Sequence, residues 1–319
     1  IFMKVIVIGA YGHIGTYLIP RLVKEGYEVI AISRGLSQPY HQHHAWKQVQ
    51  HISMDRKKDP LFAKKIADMH PDIVIDLINF HLNDTKQIVA ALKSIPFTQY
   101  IFCSSIWAHG RAKHLPADPN DEKFPLDDYG IQKYQSELYL KQEFQNNGFP
   151  ATIIMPGQIS GPGWLIINPY GNTNTDVIEK VAHGKTIYLP NWGMETLHHV
   201  HADDVAQMFI KAIQHKDQVL GQSFHAVSDH SITMYGYASL LYEFFHQKED
   251  IQFLPWNQWC SYVNRQDEID HTYYHIARSG YYSIENAKKL MDYSPQYSIE
   301  DTIRICMESY IKKGFISLP

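Results

Sequence analysis

The segment from Lys4 to Gly15 reads Lys-Val-Ile-Val-Ile-Gly-Ala-Tyr-Gly-His-Ile-Gly and predicts a strand, a tight turn and the start of a helix. Apolar residues recur at helical spacing from His13 to Lys24. In this context the first glycine permits the turn, the second lets the backbone approach a pyrophosphate, and the third lets the helix pack closely on the strand. We therefore predict dinucleotide contacts from Gly9, Tyr11, Gly12, His13, Ile14 and Gly15. The alternative is an ordinary strand-to-helix turn that binds nothing.

The alternation of strand and helix continues to residue 155 and predicts an α/β fold with a Rossmann-type, doubly wound parallel sheet. Further strands are expected at 28–32, 50–53, 73–78, 99–103 and 151–155, with helices near 61–69, 84–93 and 129–146. Glycine and proline interrupt the repeat after Pro156, and a helix at 202–214 before a strand at 222–227 predicts a return to the sheet. We expect a dinucleotide-binding domain over 1–155 with a return segment near 200–228, and a smaller substrate-binding lobe over 156–199 and 229–319.

The composition excludes several classes of protein. The 319 residues are 45% hydrophobic, which is enough for a sizeable core. Lys and Arg total 29 against 33 Asp and Glu, so the chain has no net positive charge for binding nucleic acid or an anionic membrane. No run of 18 apolar residues and no signal-type segment occurs, so we expect a cytoplasmic protein. Three widely spaced cysteines indicate reduced thiols.

The end of the second strand bears on the choice of cofactor. NAD-specific folds place an acidic residue there, whereas this strand ends with Ser33 and Arg34. A guanidinium can bind a 2′-phosphate and stack on adenine, and a serine can add a hydrogen bond, which favours NADP over NAD. The alternative is a plain surface arginine. Asp55 is placed to accept from the adenine amino group or to cap the next helix, and Leu77 and Pro156 complete the predicted cofactor contacts.

Tyr129 and Lys133 lie four residues apart in a predicted helix and therefore share one face. A free tyrosine has a pKa of about 10, and lowering it by roughly three units takes about 4 kcal/mol of differential stabilisation. We expect the ammonium of Lys133, together with a cofactor's positive ring, to favour the phenolate. On its own the spacing usually marks a solvated helix face, because it arises by chance in most chains of this length.

Several ordered motifs together resemble the extended short-chain dehydrogenase/reductase family, in its NAD(P)-dependent epimerase/dehydratase branch. The resemblance runs along almost the whole chain. It rests on the glycine turn, the Tyr-x-x-x-Lys pair, the serine-rich strand end at 101–110, the segment at 155–162, the His-Val-x-Asp-Val-Ala-like segment at 199–206, and the C-terminal stretch at 283–300.

The resemblance implies a catalytic triad. Ser105 would bond to the substrate oxygen, Tyr129 would move the hydroxyl proton, and Lys133 would bind the nicotinamide ribose while depressing the tyrosine pKa. It also implies a small-molecule substrate and a homodimer formed through the helix carrying Tyr129 and the helix before it. An epimerase or dehydratase regenerates its cofactor within one cycle, whereas a reductase releases it oxidised, and the shared motifs do not separate these outcomes.

Two positions depart from the family pattern. Sugar-nucleotide enzymes usually carry an arginine that grips the substrate pyrophosphate, and Leu197 stands at that position here. Losing this contact would weaken nucleotide-sugar binding by a few kcal/mol. Arg278, from the C-terminal lobe, is a candidate substitute. The fourth strand also ends in Asp-Leu-Ile-Asn-Phe-His at 76–81, where such enzymes often have small residues.

Other clusters have two interpretations. The histidines at 41, 43 and 44 and at 198, 199 and 201 could suggest a metal, but neither group has a carboxylate or cysteine at ligand spacing, so we expect none. The aromatic residues between 253 and 282 could stack on a substrate ring or form a core. Acidic residues between 118 and 128 are expected to be a solvated loop and helix start, with a role in dehydration as the alternative.

The leading hypothesis is therefore an NAD(P)-dependent epimerase/dehydratase-type oxidoreductase that acts on a carbohydrate-like hydroxyl or keto substrate, including nucleotide-sugars. A second hypothesis is an NADPH-dependent reductase of a small carbonyl compound. A third is a non-catalytic NADP-sensing module. Such modules typically lose the tyrosine or the lysine, and this chain has both.

Overall fold

A seven-stranded sheet in which all strands are parallel forms the centre of the computed structural model, which describes residues 2–319. Its strand order is β11-β6-β5-β4-β1-β2-β3. The strands of this sheet are β1 (Lys4–Ile8), β2 (Glu28–Ser33), β3 (Gln50–Ser53), β4 (Ile73–Asp76), β5 (Gln99–Cys103), β6 (Ala151–Pro156) and β11 (Ser223–Ala226). The predicted Rossmann-type fold class is confirmed.

Helices cover both faces of the sheet. One hydrophobic core joins the sheet to α1 (His13–Lys24) and α6 (Ala202–Gln214), and a second joins the opposite face to α2 (Phe62–Asp68), α3 (Leu82–Leu92) and α4 (Asp128–Asn147). The inner strands β1, β4, β5 and β6 are buried almost throughout because helices cover both faces, whereas the edge strand β3 is mostly exposed, contrary to a prediction of full burial. No helix in the described part of the chain combines the length and the hydrophobicity needed to cross a bilayer.

Most of the remaining elements build a smaller lobe with its own core, whereas the helices Lys216–Val219 and Glu285–Met291 pack in the first core, beside the sheet. Three two-stranded sheets in this region pair β10 with β7, β12 with β9, and β13 with β8. The strands are β7 (Gln158–Ser160), β8 (Ile187–Pro190), β9 (Thr196–Leu197), β10 (His199–His201), β12 (Ile232–Thr233) and β13 (Ile251–Leu254). The helices outside the two sheet-covering layers are α5 (Thr175–Ala182), α7 (Lys216–Val219), α8 (Met234–Phe244), α9 (Trp256–Val263), α10 (Gln266–Ile276), α11 (Glu285–Met291) and α12 (Ile299–Lys313). Leu197 and Trp259 are buried in this core.

The glycine turn has the geometry that its sequence predicts. Gly9 adopts a φ of +85°, which an L side chain rarely adopts. A Cβ on Gly15 would lie 1.9 Å from the carbonyl oxygen of Ala10, so only glycine allows α1 to approach the turn this closely. A Cβ on Gly12 would meet only the Gly9 oxygen at 3.8 Å, which leaves open space on that side of the turn.

A buried ion pair holds the end of β4. The Arg56 guanidinium donates to both carboxylate oxygens of Asp76, at 3.0 and 2.8 Å, and to the carbonyl of Ile78 at 2.8 Å. Asp76 is fully buried and also accepts from the Tyr100 hydroxyl at 2.6 Å and the Asn79 amide at 3.2 Å. This network fixes the unusual 76–81 segment in place, because every charge in it has partners.

We predict that Asp76→Ala destabilises the fold by about 3–5 kcal/mol, because it leaves a buried guanidinium without its counter-charge. The matched control is Asp68→Ala, which removes an exposed ion pair with Lys64 and should cost less than about 1 kcal/mol. Urea unfolding of both variants measures the difference. Equal free energies of unfolding for the two variants would contradict a structural role for the buried pair.

Candidate active site

Three predicted catalytic residues meet at the edge formed by the carboxyl ends of the strands. Ser105 follows β5 and caps a short 3-10 helix over Ile106–His109, accepting a hydrogen bond from the Trp107 N–H at 3.0 Å. Tyr129 lies in the first turn of α4, near enough to Ser105 that the serine hydroxyl lowers the pKa of its phenol. The Lys133 ammonium lies 5.7 Å from the Tyr129 ring centroid. The serine and the tyrosine therefore face one another, with the lysine behind the tyrosine ring.

A carboxylate fixes the start of the helix that carries Tyr129. Asp127 is the N-cap of α4 and accepts from the Gly130 N–H at 2.9 Å. The same carboxylate accepts from the Trp107 indole N–H, with both oxygens at 2.9 Å. One side chain thus ties the helix start to the turn after Ser105. Of the acidic residues before this helix, Asp127 serves as a helix cap, as one interpretation of the sequence expected.

Lys133 is buried and directed at main-chain carbonyls. Its ammonium donates to the carbonyl of Asn79 at 2.8 Å and to that of Cys103 at 2.7 Å. The rings of Phe80 and Phe102 lie 4.9 and 5.1 Å from the same nitrogen. Burial lowers the pKa of Lys133, while the surrounding carbonyls stabilise its charge. The lysine therefore joins α4 to the ends of β4 and β5.

In the protein alone, the surroundings of Tyr129 favour its protonated phenol. Burial raises the pKa of Tyr129 above its ordinary value, and the neighbouring Cys103 thiol adds to the shift. The Ser105 hydroxyl and the Arg278 charge act in the opposite direction and lower the pKa of Tyr129. The ammonium of Lys133 donates to two carbonyls beside the ring, and no hydrogen bond joins it to the phenolic oxygen. The phenol of the protein by itself is protonated at neutral pH.

Arg278 is an unpaired buried cation beside these groups. It is 5% exposed, and its guanidinium carbon lies 3.7 Å from the centre of the Trp107 ring. Its Nε donates to the Tyr274 carbonyl at 3.1 Å, but Nη1 and Nη2 are buried with no hydrogen-bond partner among the described residues. Burial lowers the pKa of this guanidinium, and the charges of Tyr282 and Asp127 favour its cationic form. A buried guanidinium with two unpartnered donor nitrogens is suited to binding a carboxylate or a phosphate.

A cavity of about 210 Å³ opens at the glycine turn. Five of the predicted cofactor residues line it, namely Gly9, Tyr11, Gly12, Ser33 and Arg34. The open side of Gly12 and the guanidinium at the end of β2 fit a dinucleotide, because the backbone can approach a phosphate there and a cation stands near the ribose end.

The other predicted cofactor residues lie outside this cavity lining. The His13 ring stacks on Trp164 with centroids 4.3 Å apart, and Ile14 and Gly15 pack into the protein. Asp55 accepts from the Lys57 N–H at 2.9 Å, so it caps a turn. Leu77 packs against the core, and Pro156 is buried at the end of β6.

Sequence reasoning missed Leu36, Ser37, Gln38, Tyr40 and Ile78, which also line the cavity. The first four belong to an irregular loop without periodicity. Only the register of the predicted sheet could have placed Ile78, since β4 pairs directly with β1 and its end therefore faces the glycine turn. Trp107 was also missed, although its position two residues after Ser105 was a usable signal.

The histidine groups bond to the main chain. His198 Nε2 lies 2.8 Å from the Ser228 carbonyl, His199 Nε2 lies 3.0 Å from that of Ile167, and His201 Nδ1 accepts from the Asp203 N–H at 3.0 Å. Burial lowers the pKa of His198 to about 3 and those of His199 and His201 to about 4. Over residues 2–319, no three histidine, cysteine, aspartate or glutamate side chains form a group that could hold a metal ion.

The parallel sheet, its glycine turn and the polar residues at its carboxyl edge define the class of the protein, an α/β protein with a Rossmann-type dinucleotide-binding fold. The model of the NAD dependent epimerase/dehydratase family matches residues 5–226, and the chain belongs to that family. The resemblance drawn from the sequence motifs is confirmed.

Curated relatives have diverse names. The chain is 26% identical over 219 residues to chloroplast stem-loop binding protein of 41 kDa b from Arabidopsis thaliana, covering 66% of this chain and 55% of that protein. It is 22% identical over 230 residues to 2′-dehydrokanamycin reductase from Streptomyces kanamyceticus, covering 72% and 63%. It is 23% identical over 237 residues to UDP-glucose 4-epimerase from Mycolicibacterium smegmatis, covering 66% and 73%. The chain thus spans less than two thirds of the length of the first two.

Solved structures share the fold. UDP-glucose 4-epimerase from Thermotoga maritima, solved with UDP-glucose, superposes with a TM-score of 0.74 at 18% identity, covering 98% of this chain and 100% of that one. UDP-glucuronic acid 4-epimerase from Bacillus cereus, solved with NAD, gives the same TM-score at 19% identity and the same coverage. At these identities the likeness establishes the architecture alone.

We predict that the protein loses stability steeply in mild acid. The pKa of His225 is about 3 and that of His13 about 4, as for the three histidines above, so all five are neutral when folded and take up protons near pH 6.5 when unfolded. The stability is fully present above pH 6.5 and is lost as the pH falls below it, by about 1 kcal/mol per histidine at pH 5.5.

Urea unfolding at pH 7.5 and 5.5 tests this prediction. His198→Asn should reduce the difference in unfolding free energy between the two pH values by the contribution of one histidine. His114→Asn, at an exposed position, should leave that difference unchanged. A free energy of unfolding that is the same at both pH values would contradict the neutral, buried state of these side chains.

Proposed function

We propose that this protein is an epimerase/dehydratase-type oxidoreductase that acts on a hydroxyl or keto carbon of an anionic, carbohydrate-like substrate, with nucleotide-sugars as the first class to test. The observation that carries the proposal is the meeting of Ser105 and Tyr129 beside the unpaired guanidinium of Arg278. A proton-transfer pair adjacent to an anion-binding fork suits a substrate that joins a hydroxyl group to a phosphate or carboxylate.

Four residues of the chain would each have a separate role in the reaction. Ser105 would hydrogen-bond to the reacting oxygen. As a phenol, Tyr129 would donate a proton to the keto form of the substrate, and as a phenolate, favoured when a cofactor's positive ring is bound, it would accept the hydroxyl proton in the reverse direction. Lys133 would hold the ribose end of the cofactor, and Arg278 would hold the substrate anion. The cofactor, when bound, supplies hydride transfer at its nicotinamide ring.

Arg278 would also explain how the chain manages without the usual pyrophosphate arginine. Leu197 is buried in the smaller lobe, so its position has no access to a substrate. The guanidinium of Arg278 reaches the site from the C-terminal end of α10. An unpaired buried cation destabilises a protein unless a ligand compensates it, which supports a binding role for this side chain.

The cofactor is proposed to be NADP rather than NAD. Ser33, Arg34, Ser37 and Gln38 line the same cavity at the end of β2, and the usual acidic residue is missing there. These groups would offer a charge and several hydrogen bonds to a 2′-phosphate.

A reductase that releases oxidised NADP is the second candidate. The NADP-type strand end and the likeness to a protein named 2′-dehydrokanamycin reductase favour it. Absorbance at the reduced-nicotinamide band separates the two candidates, since steady consumption identifies a reductase and turnover without net consumption identifies an epimerase.

For the cofactor, we predict that Arg34→Gln weakens NADPH binding by roughly tenfold or more, the loss expected for one charge-assisted hydrogen bond, and leaves NADH binding unchanged. Thermal-shift titration measures both, because a ligand at a hundred times its dissociation constant adds about 2.7 kcal/mol of stability. The control is Arg304→Gln on α12, which should change neither affinity. Equal affinities of the unmodified protein for NADH and NADPH would remove the role given to Arg34.

For catalysis, we predict that Tyr129→Phe lowers turnover of UDP-galactose or UDP-glucose by roughly 10²–10⁴-fold while nucleotide-sugar binding is retained. Arg278→Gln should instead weaken binding, by about 1.5–3 kcal/mol, and Arg278→Lys should restore part of it. Because the replaced cation is buried and unpaired, Arg278→Gln should unfold no more readily than the unmodified protein.

Two outcomes would reject this assignment. Unchanged biological activity in Tyr129→Phe would favour a non-catalytic sensing module. Equal nucleotide-sugar affinity in Arg278→Gln and the unmodified protein would remove the anion-binding role.

A further inference from the structure

A second, larger cavity of about 830 Å³ lies beside α1, and it shares no lining residue with the cavity at the glycine turn. Its walls are one side of α1, the loop and short 3-10 helix at 41–48, Pro162 and Asp203. The volume falls in the range of small-molecule sites, about 300–1,000 Å³. None of Ser105, Tyr129, Lys133 and Arg278 lines it, so the proposed reaction does not use this space.

The lining of this cavity carries an excess of positive charge. Asp203 is its one acidic residue, and Arg21 neutralises it through an Nε–Oδ1 contact of 2.7 Å. Lys24 is exposed at the same wall, and its positive charge has no acidic counterpart left in the lining. Lys313 lies close enough to act on the charge of His41, whose Nε2 is buried without a partner among the described residues. The charge balance therefore favours an anion.

The rest of the lining is apolar and aromatic. Tyr17 presents its ring beside His41, with centroids 5.7 Å apart, and Pro20, Val23 and Ala45 supply apolar surface. The rings of His43 and His44, which also line the cavity, stack on one another with centroids 4.3 Å apart and add aromatic surface. Apolar walls with a few convergent polar groups are typical of ligand sites.

We propose that this cavity is a second ligand site, which takes a planar aromatic anion of about the size of a nucleoside monophosphate. The site is separate from the cofactor groove but touches the same loop, because Tyr40 lines one cavity and His41 the other. The Tyr40 N–H donates to Thr16 on α1 at 3.1 Å, and Thr16 lines the second cavity. An occupant would therefore bias the position of Tyr40, and cofactor affinity and occupancy would be linked reciprocally.

The test uses two dyes with related ring systems. 8-Anilinonaphthalene-1-sulfonate is an aromatic anion, and N-phenyl-1-naphthylamine lacks the sulfonate. Fluorescence titrations of the full chain are made with and without saturating NADPH. We expect the anionic dye to bind saturably with one site per chain in both conditions, and at least fivefold more tightly than the neutral dye.

Charge variants then test whether the dye binds in this cavity. Lys24→Glu should weaken binding of the anionic dye at least fivefold and leave the neutral dye unchanged, and Val23→Asp should weaken both. Lys248→Glu, an exposed lysine in the smaller lobe, makes the same charge change away from the cavity and should alter neither. Circular dichroism confirms that each variant is folded.

Two results would overturn the proposal. One is an affinity for the anionic dye that is the same in Lys24→Glu, Lys248→Glu and the unmodified protein. The other is stoichiometric displacement of the dye by NADPH, which would place the dye in the cofactor groove. If the chain fails to bind NADPH at all, the proposed oxidoreductase function fails while the charge variants still test this cavity.

Discussion

The site depends on one buried ammonium that bonds to the ends of two strands. Lys133 donates to the carbonyls of Asn79 and Cys103, which close β4 and β5, and so fixes the rotation and height of α4 against the sheet. Burying such a charge is costly unless its donors are satisfied, and here two main-chain dipoles and two aromatic faces satisfy them. The position of Tyr129, four residues earlier on the same helix, follows from this anchoring.

The same region contains a buried ion pair whose hydrogen bonds are all made and a buried guanidinium whose hydrogen bonds are not. The Arg56–Asp76 pair is fully hydrogen-bonded and supports the end of β4. By contrast, Nη1 and Nη2 of Arg278, beside the site, have no hydrogen-bond partner among the described residues. A folded protein retains a buried group of the second kind at a cost to its stability. This contrast separates groups that hold the framework from a group that is available to a ligand.

The sequence predicted the framework well because its signals are local. The glycine turn, the apolar strands and the helix at 202–214 each follow from a few consecutive residues, and the structure places them within one or two residues of the expected bounds. The approach of Arg278 to Tyr129 could not be predicted, since the two residues lie about 150 positions apart in sequence and no spacing rule joins them. Likewise Asp55 had two expected roles, and its contact with the Lys57 N–H depends on the shape of a turn that spacing does not specify.

The edge strand β11 has a consequence for how this chain can be divided. It arrives from beyond the first part of the smaller lobe and pairs in register with β6, so Phe224 lies opposite Ile154 and Ala226 opposite Pro156. A fragment cut after β6 would therefore expose a row of unpaired N–H and C=O groups along a strand that is buried on both faces. Such an edge recruits other chains into aggregates. The two lobes are thus built from interleaved segments of the chain. Neither lobe can be excised as one continuous fragment without disrupting the other.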